Sequence, residues 1–105
     1  MASTLTPKMR ELVNTDPFFE RSCLSGKTGN IVIHHCLKFA GKQIQLPFNI
    51  VPLLNEEHDN YHKSVHRCQE TRERVELICL NRASEEEIKR FDLEQKLKYL
   101  TKKYA

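Results

Sequence analysis

Every glycine and every proline of this chain lies in its first half. Pro7, Pro17, Gly26, Gly29, Gly41, Pro47 and Pro52 punctuate it, and from Leu53 to Ala105 neither type occurs. These are the strongest breakers of regular structure, so turns and strands belong to the first half and the second can be nearly all helix. The 105 residues make one domain, residues 1–105, with no room for a second independent core. A composition of 39% hydrophobic and 30% charged residues is globular and excludes a disordered tail. No apolar run approaches the roughly 20 residues of a spanning helix. The leading MASTLTPKMR lacks an apolar signal core, so the expected location is cytoplasmic, with no membrane partner. Cys23, Cys36, Cys68 and Cys79 form no C-x-x-C pair and are too sparse for a disulfide scaffold, which suits a reducing cytosol. A net charge of +3 permits a polyanionic partner without demanding one.

The elements follow from caps and periodicity. Thr6-Pro7 is an N-cap followed by proline at the first helical position, giving a short helix to about Val13. A second turn runs from Asp16-Pro17 to about Arg21. Ser25 to Asn30 is turn chemistry, after which Ile31-Val32-Ile33 reads as a β-branched strand leading into His34-His35. A loop from about Lys38 to Pro47 precedes a second short strand at Asn49-Ile50-Val51. Asn55 is placed to cap a helix whose apolar spacing through Tyr61, Val65, Cys68, Val75 and Cys79 carries it, with a kink, to about Leu80. Ser84-Glu85-Glu86-Glu87 is a capping box and starts another helix. A second box at Asp92-Leu93-Glu94-Gln95 marks a break, with a last helix from Leu93 to about Lys103.

Four of the five histidines fall in two pairs. His34 and His35 end a strand, so their side chains point to opposite faces. His58 and His62 stand one helical turn apart and share a face. One strand histidine with an i, i+4 helical pair can bring three nitrogens onto a divalent ion and leave a coordination position open for substrate. The other member of the doublet is then a free imidazole beside the metal, suited to take a proton from water near neutral pH. Such a site fits a phosphodiesterase. The ion stabilises charge on the phosphate and the leaving oxygen while the free histidine activates water on the opposite side of phosphorus.

Ile33-His34-His35, Asn49 through Leu54, and His58-Asp59-Asn60-Tyr61-His62 together resemble the HNH, or ββα-metal (His-Me finger), nuclease motif. The stretch from Cys23 through Gly41-Lys42-Gln43 to Asn49 is similar to small phage and prophage HNH proteins. The likeness covers about residues 23–67, with 68–105 a helical extension. It implies an α+β fold with a ββα-metal core inside flanking helices. By position it implies His34, His58 and His62 as metal ligands, in the colicin-type H-x-x-x-H arrangement, His35 as general base, and Asn49 as the residue that hydrogen-bonds across the loop to hold the base. The implied cofactor is one divalent ion (Mg²⁺, Mn²⁺, Ni²⁺ or Zn²⁺). The implied activity is endonucleolytic hydrolysis of single- or double-stranded DNA in a bacterial or phage-infected cytoplasm, leaving 5′-phosphate and 3′-hydroxyl ends.

One departure stands out. Many HNH proteins carry two C-x-x-C pairs around a structural zinc, whereas here the first position retains only Cys23, with Ser25 nearby, and the second reads Leu54-Asn55-Glu56-Glu57. That zinc should be absent, the flanking helices should hold the core, and Cys36, Cys68 and Cys79 should be small buried packers. Lys38 and Lys42 in the loop, with Lys63 and Arg67 after the helical pair, are expected nucleic-acid contacts. Lys63 and Arg67 could equally form a solvated helix face. His66 continues the 58–62 row one turn on, where it could support a ligand or touch phosphate, but it reads first as a surface residue. No base-reading helix-turn-helix is evident, so targeting falls to nucleic-acid shape or to another protein. Two alternatives stay open: a non-catalytic nucleic-acid-binding module stabilised by its metal, and an RNA-cleaving nuclease.

Overall fold

Thr6 and Pro7 begin helix α1 (Pro7–Thr15), with Thr6 Oγ1 accepting the Met9 N–H at 3.2 Å. The structure is a computed structural model and describes residues 5–105; the first four residues, read above for a leader, lie outside it. Asp16 caps a 3₁₀ turn at Pro17–Glu20 by accepting from Phe18 N–H. Strand β1 (Ile31–His35) extends through both histidines. The expected loop contains a small hairpin, β2 (Lys38–Phe39) with β3 (Lys42–Gln43), closed at Ala40 and Gly41. Both turn residues have positive φ, 54° and 78°. That is the backbone of a tight two-residue hairpin turn, and it is where glycine is needed.

The second strand starts later than expected. Asn49 belongs to a 3₁₀ turn (Pro47–Asn49), and strand β4 runs Ile50–Leu54, antiparallel to β1, pairing His34 with Val51 and His35 with Ile50. Pro52 is tolerated within it because β4 has a neighbour on one side only. Every residue of β4 is buried. Ile50 packs with Met9 and Phe19 below α1, while Val51 and Leu53 face the larger cluster around Val75, Cys79 and Leu80. Cross-strand partners share a face, so His34 stands on the side of Val51 and His35 on the side of Ile50.

The long helix expected from residue 56 to 80 is two elements. Helix α2 (Asn55–His58) lasts one turn, and α3 (Gln69–Arg82) begins only after a run of turns over residues 59–67. The N-cap of α2 is Leu54, not Asn55, and half of a capping box forms there, Glu57 Oε1 accepting the Leu54 N–H at 2.8 Å. Asp59-Asn60, a turn-forming pair, ends the helix. The Ser84 capping box forms as expected, reciprocally with Glu87 at 2.9 and 3.1 Å, and opens α4 (Glu85–Arg90). The break at Asp92 also forms, by a different device. Asp92 takes a left-handed φ of 54° and caps nothing; α5 (Glu94–Lys103) starts behind Leu93.

The molecule is thus a small mixed α+β protein, about half helical over the described residues, which form two small antiparallel sheets. Among the described residues no helix is long and apolar enough to cross a membrane. All four cysteines are free. Cys79 is a core residue with Cys23 and Cys36 packed beside it, but Cys68 lies outside that cluster as the N-cap of α3.

Polar bonds tie α5 to α3 across their apolar contact. Glu73 accepts from Lys103 Nζ at 2.7 Å and from Tyr104 OH at 2.6 Å. Those bonds, Lys103 first, hold its carboxyl at about 2 against an ordinary 4.5. A carboxyl lowered by folding adds stability that is complete above the unfolded value and is lost as pH falls toward the folded one. The stability difference between wild type and Glu73→Gln in urea titrations should therefore hold steady above pH 5 and shrink between about pH 4.5 and 2. A difference unchanged from pH 6 to pH 2.5 would show that the ion pair does not set it.

Candidate metal centre

His34 is fixed by its strand. It lies one residue before the end of β1, paired with Val51, and its ring is half-buried on the face that looks toward residues 58–66. His58 is the last residue of α2, and His66 closes the turns that follow. The three rings meet edge to face, with centroids 5.1 Å apart for His34–His58, 4.8 Å for His58–His66 and 5.8 Å for His34–His66. One nitrogen from each lies within 4.8 Å of the others, a group that could hold a metal ion. Tetrahedral zinc with ~2.05 Å bonds sets its nitrogens about 3.3 Å apart, so the three would draw together by up to about 1.5 Å to hold an ion.

The cluster differs from the expected ligand set at a single position. His62 is exposed and stands outside the cluster; His66 takes the third place. An i, i+4 pair shares a face only on a continuous helix, and α2 stops at His58. Past that point the bend at Asp59-Asn60 and the turns to 67 bring the chain back. Val65 N–H donates to Glu57 O at 2.8 Å, which sets His66 beside His58. The legible signal was Asp59-Asn60 itself, which taken as a helix stop removes His62 from the row. Which later histidine returns depends on tertiary hydrogen bonds.

Electrostatics keep the cluster ready for a cation. Burial, followed by the neighbouring His58, His66 and His35, pushes the His34 imidazole down to about 4. Burial and His66 lower His58 too, partly opposed by Asp59. Both rings are neutral near pH 7, with lone pairs available to a metal.

His35 lies on the opposite face of β1 and is only 6% exposed. Burial holds its pKa below the ordinary value; Gln45 beside it pulls the other way without reaching hydrogen-bond geometry. Neither ring nitrogen has a protein partner. Leaving such a group unpaired costs about 1–3 kcal/mol, so its retention calls for an explanation. Among the described residues the other buried side-chain atom in this condition is Ser64 Oγ, which does not border the histidine cleft.

Asn49 is fully buried. Its Oδ1 accepts from Leu37 N–H at 2.7 Å, and its Nδ2 donates to Leu37 O at 2.9 Å and Ile44 O at 3.0 Å. Its carbonyl accepts from Cys36 N–H at 3.1 Å. The residue spans the hairpin loop and pins the backbone immediately after His35.

A cleft of about 520 Å³ unites these parts, with His34, His35, His58 and His66 all on its wall. Of the expected nucleic-acid contacts, Lys38 borders it. Lys42 lies beside a separate groove with Phe91 and Arg90. Lys63 and Arg67 are exposed among the turns of 59–67 and are not helical neighbours. Arg72, from the first turn of α3, borders the cleft instead. No lining residue is acidic, and among the described residues neither Lys38 nor Arg72 is ion-paired.

The cluster predicts a sharp contrast between two neighbouring histidines. His66→Ala should weaken Zn²⁺ or Ni²⁺ binding at neutral pH by at least ~10-fold, while His62→Ala should leave it within a factor of ~2 of wild type. Calorimetry giving the reverse order would restore His62 as the ligand. No family model, curated protein or solved structure matches the chain.

Proposed function

We propose that this protein is a divalent-metal-dependent endonuclease that hydrolyses DNA phosphodiester bonds, with the β1–β4–α2 unit serving as a ββα-metal core. The observation that carries the reading is His35. A buried imidazole without a protein partner borders the same cleft as a three-histidine cluster. His34, His58 and His66 would hold one ion, which supplies Lewis-acid stabilisation of the phosphate and its leaving oxygen. Neutral near pH 7, His35 accepts the proton of the attacking water. Asn49 fixes the backbone behind His35 and so limits the positions its ring can take. Lys38 and Arg72 bring two positive charges to a cleft without carboxylates, which favours a polyanion with phosphates on both sides of the scissile bond.

The second reading, a non-catalytic nucleic-acid-binding module, has one observation in its favour. Residues 59–67 have no helix or strand, and an ion on His58 and His66 would staple them to His34. A purely structural centre has no use for the unpartnered His35.

Nicking of supercoiled plasmid with a panel of divalent ions tests the activity, and His35→Ala separates the two readings. At saturating metal the variant should bind metal and DNA like wild type while cleavage falls ~10²–10⁴-fold, the usual contribution of a positioned proton acceptor. Equal cleavage rates would remove His35 as the base, and no cleavage by wild type with any ion would favour the binding module.

A further inference from the structure

Two of the three cluster histidines hang on one peptide. Helix α2 is a single turn of four residues, far below the length at which a helix holds itself, so its direction must come from tertiary bonds. One is a main-chain bond, Asn55 N–H to Asn30 O at 2.9 Å, and the side chain that adds to it is Glu57. Its Oε1 accepts from Leu54 N–H at 2.8 Å within the turn and from the Ser22 hydroxyl at 2.5 Å from 35 residues upstream. Ser22 is itself rigidly placed. It is 3% exposed, its Oγ accepts from Leu24 N–H and Ser25 N–H at 3.1 and 3.2 Å, and its N–H donates to Lys27 O. The adjacent Cys23 N–H donates to Pro52 O in β4, so this turn is tied to the sheet that carries His34.

The main chain of Glu57 completes the arrangement. Its carboxyl end is the peptide that leads into His58, and that same carbonyl accepts Val65 N–H at 2.8 Å, one residue before His66. A displacement of Glu57 therefore moves His58 and His66 together against His34, which the β1–β4 register holds still. We infer that Glu57 is the positioning residue of the histidine centre, its carboxylate bonded to Ser22 setting the distance of His58 and His66 from His34. The inference rests on the metal-binding reading of that cluster and adds the group that sets its spacing. Hydrogen-bonded supports behind metal ligands commonly change affinity by 10–100-fold when removed, although they never touch the ion.

Zn²⁺ affinity by calorimetry tests this on the full chain, for wild type, Glu57→Ala, Glu57→Gln and Ser22→Ala, well below each variant's unfolding midpoint. Glu57→Ala should bind zinc on the order of 10–100-fold more weakly. Glu57→Gln keeps an acceptor oxygen for Leu54 N–H and for the Ser22 hydroxyl, and should stay within ~3-fold of wild type. Ser22→Ala removes the bond to Glu57, together with the acceptor of the Leu24 and Ser25 N–H groups, and should lose affinity while retaining Glu57. If Glu57→Ala and Ser22→Ala bind zinc like wild type, even with lowered unfolding midpoints, Glu57 only supports the fold and the inference is overturned. Should Glu57→Ala fail to fold, Ser22→Ala against wild type decides in the same way. Absence of zinc binding by wild type would overturn the cluster reading itself, an outcome distinct from unchanged variants.

Discussion

The buried amide of Asn49 is the interaction on which the rest of the structure depends. Between β1 and β4 the chain makes a 14-residue excursion through a hairpin too small to fix anything alone. Asn49 closes that excursion from inside. Its side chain satisfies both main-chain groups of Leu37 and the carbonyl of Ile44, and its own carbonyl holds Cys36 N–H. Each bond is worth only about 1 kcal/mol net, but leaving those buried backbone groups unpaired would cost about 1–3 kcal/mol apiece. The asymmetry is what makes the residue decisive. Closure at 36–37 sets the β1–β4 register, and the register carries the two histidines to their separate faces.

Around that joint, burial rather than charge holds the helices. The Arg74–Glu70 pair has side chains 51% and 65% exposed and contributes little in water. Val75, Cys79, Leu80 and Leu100 are at most 1% exposed, and full burial of a leucine-sized side chain is worth about 1.5–3 kcal/mol. Two further contacts act as latches on this core: Arg82 stacked 3.7 Å over Phe18, and Glu73 joined to Lys103 and Tyr104. The turns at 22–25 and 54–57 have no thiolate pairs to share an ion. A single hydroxyl–carboxylate bond joins them, between Ser22 and Glu57.

What the sequence disclosed and what it hid divide along the range of the forces. Local chemistry was legible: the proline-started α1, the β-branched start of β1, the Ser84 box and the break at Asp92 all lie where the residues place them. Devices were less legible than positions, since Asp92 breaks the chain by a left-handed φ and Leu54 stands where Asn55 was expected to cap. Hidden were the features decided by distant partners. Apolar spacing through Tyr61 and Val65 imitates a helix, but Val65 is held by Glu57 O, and Tyr61 is 60% exposed. His66 and Arg72 enter the cleft for the same reason. Their neighbours in space are supplied by the return of the chain, which no local period records.

The composition of the cleft also narrows what it can hold. Three imidazoles with no carboxylate form a nitrogen donor set of intermediate softness, suited to Zn²⁺ or Ni²⁺, whereas Mg²⁺ seeks oxygen ligands and keeps much of its water. Neutral ligands also leave the charge of a bound ion uncompensated. A divalent ion on this cluster, with Lys38 and Arg72 on the same wall, would place about four positive charges around one cleft with no acid among its lining residues. An anion entering there meets attraction from several directions in a region partly shielded from water, where Coulomb energies exceed their bulk values several-fold. Those charges would also disfavour a proton on His35, leaving its ring neutral when a phosphate arrives and less basic than a free imidazole. Its burial favours the neutral ring already without an ion, and a cation nearby acts in the same direction. The field that would draw in a phosphate would thus also hold His35, the proposed base, in its unprotonated form.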